Sequence, residues 1–573
     1  LGYHWRSSMR GGDIIVKALM EIGSKFVFGL PGVHCLDVYR VLCSEKSIKH
    51  ILMKHEINAG VAADVYGRLT GEPGIVLTIA GPGATNCVTA VAQAYAAASP
   101  LIHISGDIPL HPYKEPLHGV DFDDFLVRVF TPITKWSIRV KHVDDIAPAL
   151  VRAYETSTKG RRGPVHVSIP IDVMNSESES PIVDISKPSR LCKVGEIDDE
   201  TINRLLTAKR PIIYAGKNVS RYQCEEKLLE LCEVLHAPLI VHGRRDGNDI
   251  VVPYEHPLYA GFVGGLSHPA AFHALKASDL ILSVGIRLGC GEAAPLKDAK
   301  PLGCIHIDVE GGAAPATVNK IIVGDIKETI SALIDRLKSF PPREPDTIFL
   351  KEIMEIKRQT AEKIEREIEV HKNSSPLHPG VIAKILNSTL GEDSILVLDC
   401  GLSTFWVRDV YKSPCIRGVL SPGGYGSMGF ALPASIATKI AYPEKKVFAA
   451  VGDGGLLMSY SDLPTLVENN INVVIAVFND SKYGQEWQLQ KKLFRDQFIA
   501  VDLQKVDFAR IFEAIGGKSI SAETFDEVKV AFDEALGSSR PVLIDIKTDF
   551  RYNAPGSELF IQNQDLEIGR ITD

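Results

Sequence analysis

The sequence predicts an α/β chain of three doubly wound parallel-sheet domains, and three observations predict it. At 573 residues the chain is too long for a single hydrophobic core. Short apolar runs alternate with amphipathic helical patterns, as in parallel strands covered on both faces. Two breaks divide the alternation: Ser176-Glu177-Ser178-Glu179-Ser180-Pro181, continuing to Pro188, and Pro341-Pro342-Arg343-Glu344-Pro345. Domains are therefore expected at residues 9–175, 195–340 and 376–550.

In the first block Met9 directly precedes a helical pattern, Ile14-Ile15 with Ala18-Leu19 and Ile22. Strands are expected at Phe26-Val27-Phe28, Ile51-Leu52, Gly74 to Thr78, Leu101 to Ile104 and Val165 to Ile169. Residues 1–8 carry no apolar signal-peptide run, and whether they belong to the natural chain is left open. The second block offers Ile212 to Tyr214, Pro238 to Val241, Asp279 to Val284 and Cys304 to Ile307. A charged helix from Glu352 to Lys372 leads into the third, with strands at Ile395 to Leu398, Lys446 to Val451, Val473 to Phe478 and Val542 to Ile546.

Hydrophobic residues at 45% and charged ones at 23% are ordinary for a globular protein. A net charge of −8 argues against nucleic-acid or acidic-membrane partners. No apolar stretch is long enough to span a membrane. Ten cysteines lie singly, with no Cys-x-x-Cys and no metal spacing, which suits reduced thiols in the cytoplasm.

The most informative motif is Gly452-Asp453-Gly454, then twenty-four residues, then Asn479-Asp480. Each half follows an apolar run, so two strands end in oxygen ligands, where parallel sheets bind ligands. Magnesium takes hard oxygen ligands and leans on a substrate's phosphates. Asp453 and Asp480 can each give a side-chain oxygen, and a backbone carbonyl beyond Asp480 a third. Gly454 and Gly455 let backbone N–H groups approach phosphate at the helix start.

This spacing resembles the cofactor motif of thiamine-diphosphate enzymes of the acetolactate synthase and pyruvate decarboxylase type, with Asp480 in place of the second Asn. Aspartate keeps the ligating oxygen, so the metal is expected to survive. Three further segments carry the resemblance. Met53-Lys54-His55-Glu56 opens a small-residue helix, and the family's glutamate at the Glu56 position hydrogen-bonds N1′ of the aminopyrimidine. Thr78 to Asn86, with Pro82 and Asn86, is similar to the loop beside that ring. Gly423 to Pro433 is similar to the segment that holds the cofactor bent, with a Gly426 carbonyl to the 4′-nitrogen and Met428 under the bend; an ordinary core methionine is the alternative. The resemblance names the domains pyrimidine-binding, middle and diphosphate-binding. It implies thiamine diphosphate and Mg²⁺, a homodimer at minimum with site halves from different subunits, and a tetramer as a common state. Some relatives bind FAD in the middle domain. Gly285-Ile286-Arg287-Leu288-Gly289 is similar to their loop, but the acidic pair after it is missing, so the balance is against FAD.

The reaction follows from residues near the reacting carbon. Phe28-Gly29-Leu30-Pro31-Gly32-Val33-His34 is similar to the first active-site loop in its decarboxylase form. His34 is then a candidate for proton transfer or for orienting a carboxylate, or else a loop histidine satisfied by backbone carbonyls. Leu117-His118-Gly119 keeps the first histidine of a decarboxylase pair. Where acetohydroxyacid synthases carry Phe-Gln-Glu, this chain has Asp121-Phe122-Asp123-Asp124. Lys482 falls at the backbone ligand to magnesium, followed by Tyr483-Gly484-Gln485-Glu486-Trp487. Glu486 matches a decarboxylase glutamate, expected buried with a raised pKa and able to act as an acid; an exposed helix-start charge is the alternative. Gln485 and Trp487 are candidates for the pocket wall, Trp487 equally for the core.

The resemblance thus implies non-oxidative decarboxylation of a 2-oxoacid through an enamine, with release as aldehyde or ligation to a second carbonyl. The alternatives are an acetolactate-synthase-type carboligase and a 2-hydroxyacyl-CoA lyase. A catalytically silent homologue is the reading from another class, opposed by Glu56, Asp453 and Met428.

Overall fold

The computed structural model describes residues 8–110, 115, 117–120, 122–178, 193–244, 247–248, 250–264, 267–288, 291–298, 303–312 and 314–555. Much of the polar break at 176–188, together with Asp121, Gly289 and the tail from Gly556, lies outside them. The chain packs as two units. One comprises the described residues up to Ser178 with Ile436–Ala441 and Ser461–Glu468, and the other comprises the rest.

The first unit holds a six-stranded parallel sheet of β1 (Phe26–Gly29), β2 (Lys49–Leu52), β3 (Gly74–Thr78), β4 (Leu101–Asp107), β5 (Trp136–Arg139) and β6 (Pro164–Pro170), in the order β2-β1-β3-β4-β6-β5. Its central strands β3, β4 and β6 are buried along their whole length, which is why they read as continuous apolar runs. Ile75, Ile102, Val165 and Leu19 are among the core residues they share with the covering helices. The chain leaves β1 toward β2 on one side and returns to β3 on the other. That reversal opens a crevice beyond the carboxyl ends of β1 and β3.

In the second unit the middle sheet contains β7 (Pro211–Ala215), β8 (Leu239–Arg244), β9 (Gly247–Asn248), β10 (Tyr259–Gly264), β11 (Leu280–Val284), β12 (Cys304–Asp308) and β13 (Val318–Val323). Its order is β9-β8-β7-β11-β12-β13, with β10 paired to β8; all pairings are parallel except β8 with β9. The other sheet is parallel throughout: β14 (Ser394–Leu398), β15 (Val419–Leu420), β16 (Lys446–Gly452), β17 (Val473–Asn479), β18 (Lys518–Ala522) and β19 (Val542–Lys547), in the order β15-β14-β16-β17-β19-β18. Its strand order repeats that of the first unit, with the crevice at the ends of β14 and β16. Among the described residues no helix is long and apolar enough to cross a membrane.

Candidate active site

The first unit assembles one cluster at the β1/β3 crevice. The helix Glu56–Thr70 begins one turn after β2, capped by His55, whose ring accepts from Ile57 N–H, and ended by Gly71 at φ +73°. Glu56 thus stands in the first turn, and its Oε2 accepts from Asn86 Nδ2 at 3.1 Å. Asn86 ends the short helix Pro82–Asn86, which Pro82 opens after Gly81. Pro31, Pro82 and Asn86 are exposed, and Gly32 packs so closely that a β-carbon there would lie 2.5 Å from Ile79 Cδ1.

His34 and His118 come together in the same cluster, ring centroids 5.5 Å apart and edge to face. The two histidines come from different loops, His34 from the segment after β1 and His118 from the 117–119 segment. His34 is 3% exposed and its Nδ1 has no hydrogen-bond partner among the described residues. Burial lowers its pKa first, the neighbouring His118 lowers it further, and a hydrogen bond to the Leu117 backbone acts the other way. Two glycines make room for the pair: a β-carbon on Gly106 would meet His34 Cβ at 2.6 Å, and one on Gly81 the His118 carbonyl oxygen at 2.2 Å. Gly81 (φ +53°) and His118 (φ +62°) both adopt left-handed backbone.

In the second unit Asp453 and Asp480 meet at the ends of β16 and β17. Asp453 Oδ1 accepts from Gly454 N–H at 2.7 Å and its Oδ2 from Ser481 N–H at 2.6 Å, while Asp480 Oδ1 accepts from Lys482 N–H at 3.0 Å. Burial pushes Asp453 up to about 6, and burial plus the Asp453 charge raises Asp480 well above its ordinary value. Two desolvated carboxylates facing one another are what a divalent cation offsets, so this donor set fits magnesium. Among the described residues no cluster of three or more His, Cys, Asp or Glu side chains surrounds a common point. The remaining ligands therefore fall to backbone and cofactor oxygens.

The sequence reads Gly454 and Gly455 as openings for phosphate, and the structure adds a packing reason. A β-carbon on Gly454 would lie 2.6 Å from Tyr483 Cε1, and one on Gly455 2.8 Å from Asp399 Oδ1. A β-carbon on Gly452 would meet nothing within 4 Å. Gly426 adopts φ +67°, and Met428 is half-buried rather than core.

Asp399 is a residue the sequence reading passed over. It is fully buried at the end of β14; Oδ1 accepts from Cys400 N–H at 2.8 Å and Gly429 N–H at 3.0 Å, and Oδ2 from Ala431 N–H at 2.7 Å. It thereby fixes the end of the Met428 segment beside Gly455. Its signal was present: an acidic residue directly after the apolar run Ile395 to Leu398, the pattern that singled out Asp453.

Glu486 corrects an expectation. It is exposed in the first turn of the helix Gly484–Leu493, so the burial invoked to raise its pKa is not present in this chain. Trp487 is half-buried, stacked on Phe498 and edge-on to Phe550. At the middle sheet's reversal, between β7 and β11, the crevice holds the chain's own charges. Lys217 pairs with Glu292, and Asn218 Nδ2 donates to Asp308 Oδ1 at 2.8 Å, all four side chains being buried. A β-carbon on Gly216 would lie 2.6 Å from the Gly285 carbonyl oxygen.

Comparison with known proteins matches residues 9–124 to the N-terminal TPP binding domain of thiamine pyrophosphate enzymes, 199–333 to their central domain and 399–546 to their C-terminal TPP binding domain. A probable acetolactate synthase large subunit of Methanocaldococcus jannaschii is 32% identical over 570 residues, covering 94% of this chain and 92% of that protein. Its namesake in Methanococcus aeolicus is 31% identical, covering 99% and 95%. The acetolactate synthase isozyme 3 large subunit of Escherichia coli is 29% identical, covering 94% and 95%. The chain belongs to the thiamine pyrophosphate enzymes, related along its length to acetolactate synthase large subunits, and is a thiamine-diphosphate-dependent enzyme that forms or breaks carbon–carbon bonds.

Proposed function

We propose that this enzyme decarboxylates a 2-oxoacid and passes the remaining acyl unit to a second carbonyl or to a proton. The observation that carries this reading is the His34–His118 pair set in one crevice with the Glu56–Asn86 corner. Thiamine diphosphate, when bound, supplies the nucleophilic carbon and the electron sink for loss of CO₂. Glu56 would hold a proton at the aminopyrimidine, with Pro31, Gly32, Pro82 and Asn86 beside that ring. Asp453, Asp480 and the Lys482 carbonyl would hold Mg²⁺, and Gly426, Met428, Gly452, Gly454, Gly455 and Tyr483 would line the diphosphate side. His34, its pKa lowered by burial and by His118, would be placed to take up and return a proton near the substrate carboxylate. Glu486 joins it only where something else covers the exposed helix start.

Carboligation is favoured by the full-length likeness to proteins named acetolactate synthase. Release as aldehyde is favoured by the histidine pair and by Asp121 to Asp124 where the synthases carry Gln. The halves are assigned to different subunits, so a homodimer is the smallest active species and a homotetramer is compatible. The lack of an acidic pair after Gly285-Ile286-Arg287-Leu288-Gly289 weighs against FAD, and the free thiols among the described residues suit the cytoplasm. Proton NMR of products from pyruvate with thiamine diphosphate and Mg²⁺ is the test. Acetolactate supports ligation and acetaldehyde supports release; no turnover of pyruvate or of any larger 2-oxoacid refutes the proposal and turns attention to 2-hydroxyacyl-CoA cleavage. Glu56→Gln is expected to lower turnover at least about a hundredfold with the fold intact.

A further inference from the structure

We infer that Asp462 is a positioning residue for Glu56. Asp462 is fully buried in the short segment Ser461–Glu468 that packs as part of the first unit. One carboxylate oxygen accepts from Lys54 N–H at 2.8 Å and from Thr465 Oγ1 at 2.9 Å; the other accepts from Asn58 Nδ2 at 2.5 Å. Lys54 lies two positions before Glu56 and Asn58 two positions after it. One carboxylate therefore grips the strand-to-helix corner on both sides of the catalytic glutamate while never touching that glutamate itself.

The same segment reinforces the grip. The Thr465 hydroxyl, whose one proton is shared with Asp462, also lies 3.1 Å from Leu52 O at the end of β2, and the Lys54 ammonium reaches Glu468 at 2.6 Å. Asn58 is 2% exposed, so solvent does not replace Asp462 at that amide. Burial raises the pKa of Asp462, and its donors hold the charged form against that. Glu56, by contrast, has a side chain partly open to solvent, with a hydrogen bond from Asn86 and His55 Nδ1 at 3.7 Å. Its aim depends on where the backbone corner stands, and an ångström at such a position costs about a hundredfold in rate.

The inference rests on Glu56 being the activating carboxylate, and the experiment separates the two. Asp462→Ala, Asp462→Asn and Glu56→Gln are compared for kcat, KM, calorimetric affinity for thiamine diphosphate with Mg²⁺, and deuterium exchange at C2 of the bound cofactor. Asp462→Ala is expected to lower exchange and kcat at least about tenfold per folded site, with KM and cofactor affinity within about threefold of the parent. Asp462→Asn is expected to recover to within about threefold, because asparagine keeps an acceptor for Lys54 N–H and its amide pairs with a turned-over Asn58. Parent-level exchange in Asp462→Ala, or equal impairment of both variants, overturns the assignment. Should Asp462→Ala not fold, Asn58→Ala removes the donor on the helix side of the corner and leaves Lys54 N–H on Asp462; a drop of about threefold in exchange supports the assignment and no drop overturns it. Full turnover in Glu56→Gln would instead remove the activating role of Glu56.

Discussion

Replacing Asp399 by asparagine perturbs the diphosphate half of the site without touching metal or cofactor. The parent carboxylate receives three backbone N–H groups, from Cys400 and Gly429 on one oxygen and Ala431 on the other. Asparagine can keep its oxygen on the first two, which leaves its NH₂ against the Ala431 N–H. The lost charge-assisted bond is worth about 1.5–3 kcal/mol and the buried donor left unmatched about 1–3 kcal/mol more. A total of about 4 kcal/mol falls on the turn that ends the Met428 segment. If half of it is expressed in binding, about 2 kcal/mol, the Kd for thiamine diphosphate rises about thirtyfold. Calorimetric titration at fixed Mg²⁺ reads that change directly, with thermal denaturation in parallel. A parent-like Kd beside a lowered denaturation temperature would show that Asp399 serves the fold alone. If neither moved, the hydrogen-bond argument itself would be refuted.

Other expectations follow from single residues. His118→Phe removes the neighbour that helps lower His34, so the acid limb of kcat/KM should move toward higher pH; an unmoved limb would exclude His34 as the titrating group. By the same sign, a histidine lowered on folding leaves the unfolded chain binding more protons below its ordinary value of 6.5, so stability should fall on acidification, less steeply in the variant. Gly81→Ala adds a β-carbon 2.2 Å from the His118 carbonyl at φ +53° and should lower kcat/KM at least about tenfold, as measured with any accepted 2-oxoacid. Lys357 borders a cavity of about 770 Å³ and donates to Tyr259 O at 3.0 Å, with burial lowering its pKa from 10.5 to about 8. Between those values the unfolded chain binds the extra proton, so stability should rise with pH from about 8 to 10.5, by about 3 kcal/mol relative to Lys357→Met. Denaturant midpoints of the two proteins across that range check it.

The strands the sequence shows well are those buried on both faces. β3, β11, β14 and β17 are mostly apolar and buried along their length, and each lies within a residue of its expected place. Those it hides lie at sheet edges. β5, β13 and β18 carry Ser, Lys or Asn among their apolar residues because much of each strand meets solvent. Asp453, Asp480 and Glu56 stand out in the sequence because each sits where a strand run stops, a local signal. Asp462 and Asn58 are not, since their meaning lies in a contact across roughly four hundred positions of sequence. Glu486 shows the converse limit: family position names a residue, whereas its solvent exposure is set by whatever covers the helix Gly484–Leu493.

The shared strand order of the first and last sheets has an evolutionary consequence. The same strand order occurs twice in one chain, and in each copy the candidate site residues, Glu56 in one and Asp453 with Asp480 in the other, lie beyond the strand tips. Each copy keeps a hydrophobic interior of its own. Variation in the tip loops of one copy therefore leaves the interior of the other untouched. Substrate preference can drift through His34, His118 and their loops while the phosphate-side geometry stays under separate selection.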